Sequence, residues 1–143
     1  MREEKHAESL KEVMDEIEKS LEDPKGLLWH QRRLASMLSI GICDLIEIYF
    51  HRLRIMKEGS RIKHQWLRKT DVKERLSNQI TSTIAKVKRI DEILKLATEI
   101  EEKRDDLAYG SPLTDEKFLK EKIDQFLDLK KIIENETGDV FEK

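Results

Sequence analysis

The residues best suited to chemistry are gathered in EKRDDLAYGSPLT. There Arg104, Asp105, Asp106 and Tyr109 occupy about one and a half helical turns just ahead of Gly110, Ser111 and Pro112. A second candidate region is basic: residues 52 to 75 carry nine Lys or Arg (Arg52, Arg54, Lys57, Arg61, Lys63, Arg68, Lys69, Lys73, Arg75) against three acids. Such clustering either holds a polyanion or forms a solvated face that pairs with the acidic first segment, where residues 1 to 23 hold nine acids against four Lys or Arg. The formal net charge of -2 conceals this asymmetry.

Other chemistries lack their residue patterns. Four scattered histidines and one cysteine give no zinc spacing, so no metal and no cofactor is expected. Asp105 and Asp106 are adjacent and point in different directions on a helix. There is no glycine-rich phosphate loop, and Ser36, Ser39 and Ser60 have no recognisable base partner. A lone Cys43 excludes an intramolecular disulfide framework and suits a reducing compartment, so a cytoplasmic location is expected. The charged N-terminus resembles neither a signal nor a transit sequence. Asp44 and Glu47 interrupt the most apolar stretch, Leu34 to Phe50, so no membrane span is expected.

The elements that must position these residues follow from periodicity. Leu10, Val13, Met14, Ile17 and Leu21 recur as on one helical face, which predicts a helix over about 3–22 ending at Asp23-Pro24-Lys25-Gly26. A second helix, about 27–57, is apolar around most of its circumference and must be covered on several sides. That excess points to a homodimer. Its polar positions, Arg33, Ser36, Asp44, Glu47, His51 and Arg54, form a narrow seam that marks a site or a set of local ion pairs such as Glu47 with His51.

Gly59 and Ser60 read as a stop and restart, followed by a short segment bearing Ile62, Trp66 and Leu67. Thr70 then caps a long third helix running from Val72 through Ile84 and Val87 to Ile100 and on into the opening stretch. A last helix, capped by Thr114 with Asp115 and Glu116 near its positive end, buries Phe118, Leu119, Ile123, Phe126, Leu127, Ile132 and Ile133. The expectation is one all-α domain over 1–143, an antiparallel four-helix bundle with a short extra helical segment. Its core spans about 3–136, with a frayed tail from about 137. In that frame a structural account of KRDDLAYG is available: Leu107 and Ala108 continue the apolar face, Tyr109 covers the bundle's end, and Gly110 caps the helix.

KRDDLAYG also resembles the signature region of HEPN domains, small helical bundles found beside nucleotidyltransferases and in RNA-cleaving toxins. There an arginine on the third long helix is followed after four to six residues by a histidine near a turn, then by a final amphipathic helix. Arg104 matches the arginine, Tyr109 stands in the histidine's place, and GSPLTDEKFLKEKIDQFLDLKKII resembles the closing helix. LIEIYFHRLRIMKEGSRIKHQWL is a second similar region, an aromatic-rich helix followed by a glycine turn and Lys63-His64. The resemblance implies metal-independent chemistry or binding on RNA or nucleotide. Arg104 and Tyr109 are its candidate catalytic residues, and Arg61, Lys63, His64 and Asp105 its candidate binding residues. A nucleotidyltransferase-type protein is the implied partner.

Arginine suits the phosphate role because its planar fork donates two hydrogen bonds to phosphate oxygens. Tyr109 departs from the pattern: a phenol titrates near 10, whereas imidazole titrates near 6.5. The sequence therefore favours binding over nuclease activity, with His64, His51 or His30 as spatial substitutes for the missing histidine. The alternative is a non-catalytic helical dimerisation or scaffold protein.

Overall fold

In the computed structural model, which describes residues 2–102, 104–110 and 115–138, the chain is all-α. The helices are α1 (Glu3–Glu22), α2 (Gln31–Arg52), α3 (Val72–Ser77), α4 (Ile90–Glu101), α5 (Arg104–Tyr109) and α6 (Lys117–Thr137), with short 3₁₀ turns at Leu27–His30, His64–Arg68 and Ile84–Lys86. Among the described residues the only β pairing is an isolated bridge between Met56 and Ile80.

α2 is central and packs against α1, α4, α5 and α6. Leu34, Leu38, Ile42, Leu45, Ile46, Ile48, Tyr49 and Phe50 are almost completely buried, so the chain itself covers most of this helix's apolar circumference. Leu10, Val13 and Ile17 form the buried stripe of α1, each worth about 1.5–3 kcal/mol on removal from water. Side-chain pairs set the directions. Arg52 meets Glu3 and Arg33 meets Glu16, so α1 and α2 run antiparallel. Ser39 meets Glu101 while Tyr49 donates to the Lys88 carbonyl, so α2 and α4 also run antiparallel.

The stretch Leu27–Arg52 is apolar and long enough to cross a membrane by length and composition, but 72% of its most apolar window is buried inside the fold. That is the position of a core helix.

Two helix expectations are corrected. The second helix does not run unbroken from 27 to 57: it opens as a 3₁₀ turn and ends at Arg52. Arg54 adopts a left-handed φ of 60°. The Ile55 N–H returns to the Phe50 carbonyl and the Arg54 N–H to the His51 carbonyl, a Schellman closure with arginine where glycine is usual.

The long third helix is also absent. α3 stops at Ser77, and the chain runs extended past Ile80, where the Lys57 N–H bonds the Gln79 carbonyl and the Thr81 N–H bonds the Ile55 carbonyl. Asn78, Thr81, Ser82 and Thr83 are poor helix residues that compete for backbone hydrogen bonds. Ile80, Ile84, Val87 and Ile90 are still buried, through successive short turns.

Thr70 is not a cap, since Asp71 precedes α3 without a capping side-chain bond. The expected Thr114 cap lies outside the described residues. Asp115 does accept the Lys117 N–H at 2.9 Å, at the start of α6.

Candidate functional site

The basic residues of the second candidate region are presented by a short extended segment. Gly59 takes a φ of +76° and turns the chain away from α2. Ile62 is then buried at 5% exposure, while Arg61 and Lys63 on either side are exposed, the alternation of an extended strand. Arg61, Lys63 and His64 face Ser39, Ile40, Cys43 and Asp44 of α2 across a cleft of about 400 Å³. Among the described residues Arg61 and Lys63 have no carboxylate partner, whereas Arg52, Arg68, Lys73 and Arg75 are paired with Glu3, Asp105, Asp91 and Asp71. Of these four pairs only Arg52 with Glu3 reaches the acidic first segment.

His64 opens the 3₁₀ turn His64–Arg68 and places Nδ1 2.6 Å from Oε1 of Glu101 at the end of α4. Glu101 is completely buried, and its Oε2 accepts the Ser39 hydroxyl at 2.7 Å. With Nδ1 engaged by Glu101, Nε2 is the ring nitrogen left for other partners. The His64 side chain remains 28% exposed.

Two further ties hold the same turn. Thr98 donates to the Leu67 carbonyl, and Arg68 reaches Asp105 at 3.2 Å. Asp105 also accepts Arg104 at 3.1 Å, and Arg104 with Arg68 holds the Asp105 carboxyl below the usual range. The Arg104 side chain is only 16% exposed, and its Nε is buried without a hydrogen-bond partner among the described residues.

The structure therefore gathers Arg61, Lys63, His64, Arg104 and Asp105 around the 61–68 segment and the α4–α5 junction. Tyr109 stands apart from the cleft at the end of α5. It does not cover the end of the fold, being 75% exposed, with the Arg104 guanidinium 5.8 Å from its ring centre. Gly110 is not left-handed; a Cβ there would lie 2.6 Å from the Asp106 carbonyl oxygen, so close approach explains the glycine. Of the candidate substitute histidines, His30 pairs with Asp23 at 2.7 Å and His51 lies 6.0 Å from the His6 ring. His64 alone of these three is linked to Glu101, one helical turn from Arg104.

A second polar cluster borders the cleft. Buried His6 of α1 places Nδ1 2.9 Å from Asp44 and Nε2 3.3 Å from Glu47. Burial opposes its charge, but the hydrogen bonds and fields of the two carboxylates win and push its pKa up to about 9. The expected Glu47–His51 pairing is replaced by this contact across helices. Burial likewise raises the Asp44 carboxyl and pushes the Cys43 thiol well above its usual range, so Cys43 is no thiolate nucleophile.

Glu101, His6 and the helix-spanning pairing of Asp44 and Glu47 escape a reading by residue type, yet a signal exists. Glu101 lies four residues after Ala97 and seven after Leu94, on the apolar stripe of α4, and His6 precedes Leu10 by four on that of α1. A titratable residue at a stripe position is buried with a partner. Among the described residues no group of three or more His, Cys, Asp or Glu is arranged to hold a metal ion. Comparison with models of known families, with curated proteins and with solved structures finds no match.

Proposed function

We propose that this chain is a HEPN-like protein built on an antiparallel four-helix bundle, and that it binds the phosphates of a nucleotide or RNA at the cleft between α2 and the 61–65 segment. The observation that carries the reading is the pair of uncompensated cations, Arg61 and Lys63, on the rim of the cleft that also holds the Glu101-anchored His64. Arg61 and Lys63 attract the anion, His64 offers one imidazole nitrogen, and Arg104 exchanges its Asp105 contact for phosphate oxygens. The reading is of a binding protein: Tyr109, a phenol, stands where the resemblance calls for a proton-transferring histidine. It belongs in the cytoplasm, with a nucleotidyltransferase-type protein as partner and a second copy of the chain meeting the remaining exposed apolar position of α2, Ile40, which also lines the cleft, so that the second copy and the ligand compete for it.

The test is fluorescence anisotropy of labelled single-stranded RNA with purified protein in EDTA across a salt series. Binding should weaken steeply with salt, and Arg61→Ala with Lys63→Ala should lower the logarithmic salt slope by about 0.7 for each phosphate contact removed. Arg104→Ala should lose binding while its circular dichroism stays that of the parent. A salt-independent or undetectable interaction overturns the reading.

A scaffold role is the second reading, favoured by the Arg68–Asp105–Arg104 tie, which fastens the 3₁₀ turn to α5. Under it Arg104→Ala lowers stability and has no binding phenotype.

A further inference from the structure

Trp29 and Tyr109 are the most exposed large apolar side chains among the described residues, at 69% and 75%. Trp29 is held in that position by the turn that carries it. One oxygen of Asp23 accepts the Lys25 N–H at 2.8 Å and the other meets His30 Nε2 at 2.7 Å, while Leu27 is buried beneath. The connection from α1 to α2 is thus tied on both sides of an indole left in water.

Each exposed ring carries a cation. The Lys25 ammonium lies 5.4 Å from the centre of Trp29, and the Arg104 guanidinium 5.8 Å from that of Tyr109. Arg32 joins the two places: it donates to the Ala108 carbonyl at 2.6 Å and to the Gly110 carbonyl at 3.0 Å, on either side of Tyr109. Both acceptors are neutral, so neither cancels its charge. Three carboxylates here are already engaged, Asp23 as above, Asp105 by Arg104 and Arg68, and Glu16 by Arg33. An open cleft of about 460 Å³ runs along Leu28, Trp29, Arg32 and Arg33.

We infer that Trp29 and Tyr109, with Lys25, Arg32 and Arg104, form a stacking platform for the unpaired bases of single-stranded RNA, continuing the strand held at the 61–65 cleft. This inference rests on the phosphate-binding reading above and extends it. Exposed rings accept any base face, and cations beside them meet the flanking phosphates. Paired bases present no free face, so the surface selects single strands. The end of α4 and α5 lie along the first half of α2, with Glu101 beside Ser39 and Ala108 beside Arg32. From Ile40 at the cleft to Arg32 is about 12 Å along the helix, so a run of nucleotides rather than a mononucleotide fills both places.

The experiment uses the full chain in a Trp66→Phe background, where Trp29 is the sole indole. Titration with a short oligouridine should quench Trp29 fluorescence. Trp29→Ala should weaken oligouridine binding about tenfold, Trp29→Phe should restore most of it, and affinity for uridine monophosphate should stay unchanged. Oligouridine affinity indifferent to Trp29→Ala but lowered by Lys63→Ala overturns the platform and leaves the cleft reading standing. Affinity lost in Trp29→Ala but untouched by Arg61→Ala and Lys63→Ala supports the platform and removes the cleft. Equal affinity for a duplex, or no RNA binding by the parent, overturns the platform.

Discussion

His6 is a charged group where water is excluded, and Asp44 and Glu47 keep it charged. Its pKa rises from 6.5 to about 9, so folding gains stability from its protonation that is fully present below about pH 6.5 and is lost as pH rises through about 9. The shift corresponds to on the order of 3 kcal/mol. The Arg52–Glu3 pair and the His51 ring sit at the same end of α1. Urea midpoints should therefore fall between about pH 6.5 and pH 9 in the parent, and His6→Gln should be less stable at neutral pH with that slope flattened. An unchanged slope in the variant would show that His6 is not the titrating group. At this scale the sequence reveals which residue types are candidates but not their partners, because His6 and Asp44, or His64 and Glu101, meet only after the chain has folded back.

At the scale of elements, α2 and α6 meet at Gly41. A Cβ there would lie 2.6 Å from Phe126 Cε1 and 3.0 Å from Val13 Cγ1, and both side chains are fully buried. Alanine improves helix propensity by about 1 kcal/mol, but overpacking costs about 1–3 kcal/mol, and neither neighbour has room to retreat. Gly41→Ala should therefore lower the urea unfolding free energy by up to about 2 kcal/mol; a more stable variant would mean the ring moves freely. The apolar stripes of α1 and α6 are legible because period and burial coincide. The third helix misleads because Ile80, Ile84, Val87 and Ile90 keep a helix-like spacing while the Gln79 carbonyl and the Thr81 N–H bond to residues 57 and 55 instead of continuing the helix.

For the whole molecule, the apolar circumference of α2 has two ways to be covered, and α1, α4, α5 and α6 take most of it. What remains for a second copy is Ile40, with Met37 partly buried beside it. The proposed homodimer is accordingly a small interface. Light scattering at micromolar concentration should return twice the chain mass, and Ile40→Glu, at an exposed position, should return the single-chain mass with folding intact. A single-chain mass for the parent overturns the dimer. The sequence by itself determined the helical class and the buried stripes, since hydrophobic period and turn residues act over a few neighbours. It also marked the basic stretch at 52–75, because charge density is a property of composition. Only the tertiary structure decided that Glu101 holds His64, that Asp44 and Glu47 hold His6, and that Trp29 and Tyr109 stand in solvent joined by Arg32. Each of those depends on which helices come to lie together, and a buried polar group takes whatever partner the packing brings within hydrogen-bond reach.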